Sequence, residues 1–162
     1  MQRIPEPVVF SSGNQYQKAA SVLSNTEGCF WVAAINAALS IEIYLKSFLV
    51  IDHQVNGYKM HKKVRRGHNL AELYSLIDQV DKDALKERLP HLDLESKLEL
   101  YKDIFTNARY TFEPTDVPTI GSGIISLSKE LQVAIGSILE ERYPVKQPPH
   151  LQQTVDRALG KM

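Results

Sequence analysis

The stretch CFWVAAINAALSIEIYLKSFLVI, from Cys29 to Ile51, decides how this chain folds. It is the longest apolar run in the sequence, and it contains neither proline nor the polar–apolar alternation typical of a β-strand. The run is long enough to cross a bilayer, but Glu42 and Lys46 near its middle make membrane insertion costly. We therefore predict a core helix in a cytoplasmic protein that does not associate with membranes.

This predicted helix carries a charge on its apolar side. On a helical wheel, Glu42 lies among large apolar residues and nearly opposite a polar edge. We expect that polar edge, formed by Asn36, Ser40 and Ser47, to face solvent. Lys46 follows Glu42 at i+4, in the orientation that favours an ion pair.

A second charge falls on an apolar helix face in the segment FTNARYTFE, residues 105–113. A guanidinium keeps its proton, so burying Arg109 requires an acceptor. Glu42 would satisfy it as a bidentate partner, and Glu113 at i+4 is another. In the alternative reading, Arg109 extends along the bundle to reach water. The predicted polar centre consists of Glu42, Lys46, Arg109 and Tyr110.

The rest of the chain completes a helical pattern. Its 162 residues are 43% hydrophobic with zero formal net charge, which fits one globular domain without a global electrostatic field. We predict no strand pair, because no segment has a convincing strand pattern. Further helices are predicted over about 11–24, 70–80, 94–112 and 124–143, with a short one over 82–89. The predicted fold class is all-α. Residues 1–143 are expected to form an antiparallel up-and-down bundle of four to five main helices. A proline-containing tail, 144–162, follows and could contain one short helix.

The polar connection over residues 52–67 contains the one dense positive run of the sequence, HKKVRRGH at 61–68. It leads into Asn69, which reads as a helix N-cap, with Glu72 three residues later as in a capping box. A helix N-terminus beside these cations favours an anion such as phosphate or an RNA backbone, and a solvated loop is the alternative. The predicted anion-binding residues are Lys62, Lys63, Arg65, Arg66 and Asn69. The histidines lack a recognised metal-ligand spacing, so we expect neither a metal nor another cofactor.

Three motifs follow one another in the middle of the chain: SIEIYLK at 40–46, GHNLAEL at 67–73 and FTNARYTFE at 105–113. Together they resemble the HEPN domain superfamily, small helical bundles of bacteria and archaea. The resemblance implies an up-and-down bundle that often dimerises, associated with RNA cleavage, toxin–antitoxin systems or phage defence. The partners it implies are a second copy of the chain, RNA or a nucleotide, and a protein such as a nucleotidyltransferase or an antitoxin.

Catalytic members of that family resemble one another in an arginine followed, after four to six residues, by a histidine. No arginine here has that spacing, and Arg109 is followed by no histidine until His150. We therefore predict a binding or interaction module for RNA, a nucleotide or a partner protein. One alternative is a divergent, metal-independent ribonuclease with Arg109, His68 and Glu113 as catalytic residues. The other alternative is a purely structural partner subunit.

Overall fold

The computed structural model describes residues 5–55, 58–63, 65–104 and 121–142, with side chains given for all of these except 52–63. Six helices lie in this part of the chain: α1 (Pro7–Ser24), α2 (Phe30–Ser47), α3 (Leu70–Ser75), α4 (Gln79–Arg88), α5 (Leu94–Leu100) and α6 (Gly123–Arg142). Apart from the segment 51–63, described below, the regular secondary structure of these residues is helical, which confirms the predicted class there. None of the helices described is long and apolar enough to cross a membrane. The predicted tail, 144–162, lies outside the described residues.

The core is organised around α2, which packs against α1, α3 and α6. Because neighbours cover it on several sides, the predicted solvated edge is wrong at two of its three residues. Ser40 and Ser47 are buried, and Asn36 is half-buried. Their hydroxyls are satisfied internally. Ser40 Oγ donates to the Ala37 carbonyl at 2.7 Å and lies 2.5 Å from Ser128 Oγ on α6, while Ser47 Oγ donates to the Tyr44 carbonyl at 2.6 Å. Polar residues on this helix therefore lie inside the core without unpaired hydroxyls.

The beginning of α1 lies beside the end of α2. The Glu6 amide donates to the Ser47 carbonyl at 2.9 Å, and the Tyr44 hydroxyl donates to Asn14 Oδ1 at 2.8 Å. Gln132 of α6 donates to the same Asn14 oxygen at 3.0 Å. Burial raises the pKa of Tyr44 well above its ordinary value, so its hydroxyl remains a donor. This network links three helices around one amide oxygen.

Several helix boundaries differ from those predicted. The core helix predicted over 29–51 ends at Ser47, and Ile51 already belongs to a β-strand. The helix predicted over 94–112 is interrupted, because α5 ends at Leu100 and a turn follows over 101–103.

Helix α1 begins four residues early because Pro7, with its preset φ, occupies the first helical position. The predicted helix over 70–80 is divided: α3 ends at Ser75, and α4 begins at Gln79. Val80, expected on the apolar stripe, is 54% exposed. The division lets α4 take its own direction and pack against α6.

The connection between α2 and α3 is not the loop that we predicted. It forms an antiparallel β-hairpin of β1 (Ile51–Val55) and β2 (Tyr58–Lys63), with an irregular register after His53. Backbone hydrogen bonds pair the strands, and this pairing needs no apolar alternation in the sequence. The sequence signal that we missed is the dipeptide Asn56-Gly57 between the two strands, which is typical of a two-residue hairpin loop.

Charged groups join α4 to α6. Asp81 and Arg142 form an ion pair whose side chains are only 3% and 7% exposed. Arg88 of α4 pairs with Glu141 nearer the surface. Losing one partner of a buried ion pair leaves an uncompensated charge, so Asp81 and Arg142 constrain how these helices dock.

The packing of α1 on α2 requires a glycine, which gives a direct test of the fold. A Cβ on Gly13 would lie 2.6 Å from Cε1 of the buried Tyr44 ring. Alanine improves helix propensity by about 1 kcal/mol, but overpacking a core costs about 1–3 kcal/mol. We expect Gly13→Ala to lower the free energy of unfolding by up to about 2 kcal/mol in urea denaturation.

Gly136 on α6 is the matched control. A Cβ there would meet Phe10 Cζ at an ordinary 3.7 Å, so Gly136→Ala should stabilise the protein by up to about 1 kcal/mol. Equal stabilisation by both substitutions would contradict the described packing of Tyr44.

Candidate functional site

The site is built around Glu42, in the middle of α2. Its side chain is only 6% exposed, and Lys46 Nζ donates to Oε1 at 2.6 Å. The lysine side chain is 13% exposed, so both charges are largely removed from water. The predicted i+4 contact between Glu42 and Lys46 is therefore present. Each charge offsets part of the desolvation cost of the other.

A third group reaches this carboxylate from the segment before α3. His68 Nδ1 lies 3.0 Å from Glu42 Oε2 and 3.2 Å from Oε1. An ionised carboxylate only accepts hydrogen bonds, so it favours the proton on Nδ1 and leaves the neutral ring's lone pair on Nε2. The His68 side chain is 57% exposed. We call Glu42, Lys46 and His68 the Glu42 cluster: a buried carboxylate that orients a partly exposed imidazole.

The backbone on both sides of His68 is constrained. Gly67 has a φ of +120°, which residues with a Cβ rarely adopt. On the other side, Asn69 Oδ1 accepts a hydrogen bond from the Glu72 amide at 2.9 Å, which confirms the predicted N-cap. Leu70 then enters the core. The turn and the cap together direct the imidazole toward α2.

Two of the predicted basic residues, Arg65 and Arg66, shortly precede the cluster residue His68 in the chain. Arg65 and Arg66 are exposed. The Arg65 guanidinium is 4.0 Å from the Glu72 carboxylate, but both side chains are more than half exposed, so this pair contributes little to stability. Lys62 and Lys63 lie on β2, and their side chains are outside the described set.

The structure weakens one part of the anion-site prediction. Helix α3 has only six residues, which is too short for a substantial helix dipole. Its cap is also internal, because the Asn69 side chain already accepts from a helix amide. Arg65 and Arg66, rather than the helix terminus, are the groups available to an anion.

The predicted residues Arg109, Tyr110 and Glu113 lie outside the described residues. Their membership of the polar centre and their catalytic roles stay predictions. Within the ranges that the structure describes, no group of three or more His, Cys, Asp or Glu side chains is placed to hold a metal ion.

Sequence reasoning did not connect Glu42 with His68. The two are 26 residues apart, and helical periodicity relates only residues within one helix. The available signal was chemical: a carboxylate on an apolar face needs donors, and His68 precedes a capped helix. That signal identifies both residues as candidates without showing that they meet.

Known proteins give no assignment for this site. No family model, curated protein or solved structure matches the chain. The function therefore has to be argued from the residues of the Glu42 cluster and the cations beside it.

A double-mutant cycle tests whether the Glu42 cluster is energetically coupled. We expect Glu42→Ala to lower the free energy of unfolding by about 3–5 kcal/mol, because it leaves Lys46 as an unpaired, largely buried cation. Combining it with Lys46→Met should cost less than the sum of the single losses, by about 1 kcal/mol or more. Urea denaturation of the four proteins measures this difference.

The exposed pair Glu99 and Lys102, 2.5 Å apart, is the matched control. Its coupling energy should be no more than about 0.5 kcal/mol, since solvent screens it. Additive losses at Glu42 and Lys46 would contradict the cluster.

Proposed function

We propose that this protein is an RNA-binding module that contacts the phosphate backbone through Lys62, Lys63, Arg65 and Arg66. The observation that carries the proposal is the contact between His68 and buried Glu42, which attaches the end of this basic segment to the core. A segment held in place loses less conformational entropy on binding than a free one. Because the net charge of the chain is zero, attraction to a polyanion has to come from such a local group.

The wider setting of this module is also part of the proposal. The helical architecture agrees with a HEPN-like up-and-down bundle, and the position of α1 beside the end of α2 is compatible with antiparallel neighbours. The resemblance of the three motifs supports a homodimer in the cytoplasm. It also supports a partner such as a nucleotidyltransferase or an antitoxin.

RNA binding can be tested by fluorescence anisotropy over a series of salt concentrations. The test variant replaces Lys62, Lys63, Arg65 and Arg66 by glutamine. Each phosphate contact to single-stranded RNA contributes about −0.7 to the slope of log K against log salt, so losing four should reduce that slope by up to about 3. Affinity at low salt should fall by more than about tenfold.

The matched control replaces Lys18 and Lys129, which lie on other helices, by glutamine; it should retain the wild-type affinity and slope. Wild-type protein that shows no salt-dependent binding, or a test variant that binds as well as the control, would contradict the proposal.

The geometry of His68 supports a second candidate, a metal-independent ribonuclease. A carboxylate at Nδ1 stabilises the imidazolium that forms when Nε2 accepts a proton. His68 would take the proton of a ribose 2′-hydroxyl as that oxygen attacks the adjacent phosphorus. The 5′-oxygen would then leave with a proton donated by the Glu113 carboxyl group, giving a 2′,3′-cyclic phosphate and a free 5′-hydroxyl. Arg109 is proposed to stabilise the developing negative charge, and Glu113 to assist proton transfer.

Incubation of purified protein with total RNA in the presence of EDTA tests this candidate. We expect cleavage products with 2′,3′-cyclic phosphate ends, and a loss of about 10²-fold or more in rate on His68→Gln. Arg109→Ala should lose activity similarly, while circular dichroism verifies that both variants are folded.

His91, another exposed histidine paired with a carboxylate, provides the control. His91→Gln should cleave at the wild-type rate. RNA that stays intact with the wild-type protein, or equal rates for the two histidine variants, would exclude this mechanism.

A further inference from the structure

A cavity of about 740 Å³ opens between α3, α4 and α5. Its wall combines the ring of Tyr74 and the apolar Leu98 with the charged side chains of Lys82, Glu95 and Glu99. Tyr74 and Ser75, the last two residues of α3, line it, whereas His68 of the Glu42 cluster precedes this helix.

The ammonium of Lys82 is the first group in this cavity with N–H donors that make no hydrogen bond among the described residues. Lys82 is half-buried, and its Nζ lies 5.3 Å from the centroid of the Tyr74 ring. One of its three donors is used by the Ser75 carbonyl at 3.0 Å. Among the described residues, no carboxylate forms an ion pair with it. A partly desolvated cation with donors to spare favours an acceptor of opposite charge.

The cavity's own carboxylates are already engaged. Glu95 lies 3.6 Å from Lys86 Nζ, and Glu99 accepts from Lys102 Nζ at 2.5 Å. Each of these carboxylates therefore already faces a cation from a neighbouring side chain.

Tyr74 is the second group with an unused donor. The residue is 3% exposed, and its buried hydroxyl has no hydrogen-bond partner among the described residues. Burial, together with the charges of Glu95, Asp83 and Asp93, raises the pKa of Tyr74 to about 12. The hydroxyl is therefore protonated at neutral pH and can donate. Unpaired buried donors are rare in folded proteins, and each one calls for an explanation.

We infer that this cavity binds a small organic monocarboxylate, whose oxygens accept hydrogen bonds from Lys82 and Tyr74 while its apolar body packs against Leu100, an exposed residue of the same wall. Both unused groups are donors, so the ligand has to supply acceptors. A cationic ligand would be repelled by the Lys82 ammonium. The carboxylates around Tyr74 disfavour a dianion such as phosphate more strongly than a monoanion, because electrostatic repulsion scales with charge.

Benzoate is a suitable probe, titrated into the ¹⁵N-labelled full chain and followed by amide chemical shifts. We expect saturable shifts at Tyr74, Lys82 and Leu100. Charge-assisted hydrogen bonds contribute about 1.5–3 kcal/mol, so uncharged benzamide should bind about 10- to 100-fold more weakly. Inorganic phosphate should produce no saturable shifts at these amides.

Variants locate the contacts. Lys82→Met should weaken benzoate binding by about tenfold or more, and Tyr74→Phe by about two- to tenfold. Lys82→Arg keeps the charge, so its affinity for benzoate should stay within about threefold of wild type. This variant therefore shows whether weaker binding by Lys82→Met comes from the lost charge or from lost folding. Lys18→Met, on exposed α1 surface, is the matched control and should bind as wild type does.

Three results would each overturn the inference. The first is the absence of saturable benzoate shifts at tens of millimolar ligand. The second is equal affinity for benzoate and benzamide. The third is a set of shifts confined to the segment from Arg65 to Asn69, which would place the anion at the basic residues.

Discussion

A carboxylate buried in the most apolar helix is the constraint on which the arrangement around α2 depends. Glu42 cannot reach water, so its charge has to be compensated where it lies. Lys46 supplies a cation from the same helix, and His68 supplies a ring nitrogen from another segment. The second contact joins the segment before α3 to the core. One buried charge thereby determines where the basic residues lie relative to the helices.

The same helix illustrates how polar groups are accommodated without weakening the core. Neighbours surround α2, so its hydroxyls as well as its apolar residues are buried. Each of Ser40, Ser47 and Tyr44 makes a hydrogen bond, in two cases to a carbonyl of its own helix. Satisfied polar groups cost little when buried, whereas unpaired ones cost about 1–3 kcal/mol each. The unpaired hydroxyl of Tyr74 differs from this pattern, which is why its cavity is of interest.

Helix α3 lies between the two sites for which functions are proposed, the Glu42 cluster and the cavity at Tyr74. It has six residues and is therefore about 9 Å long. His68 lies just before its first residue, at the Glu42 cluster, and Tyr74 lies near its last, at the cavity. Its core contacts through Leu70 and Leu73 hold both ends in place. A short, well-anchored helix thus presents an imidazole at one end and a phenol at the other, and their chemistry can be tested separately.

The amino-acid sequence by itself determined the features that depend on residues close together in the chain. These are the helical class, the central position of α2, the Glu42–Lys46 contact, the Asn69 cap and the extent of α6, within one residue at each end. Helical periodicity and capping chemistry act over three or four residues, so pattern analysis detects them. The predicted roles of Arg109, Tyr110 and Glu113 lie beyond the described residues.

Only the tertiary structure decided how many neighbours surround each helix and which distant charges meet. A helical wheel orients Ser40 and Ser47 about their own axis, but their burial depends on helices elsewhere in the chain. His68 meets Glu42 across 26 residues, and Arg142 meets Asp81 across 61. Such contacts follow from the packing of whole elements, a property that no short window of sequence contains.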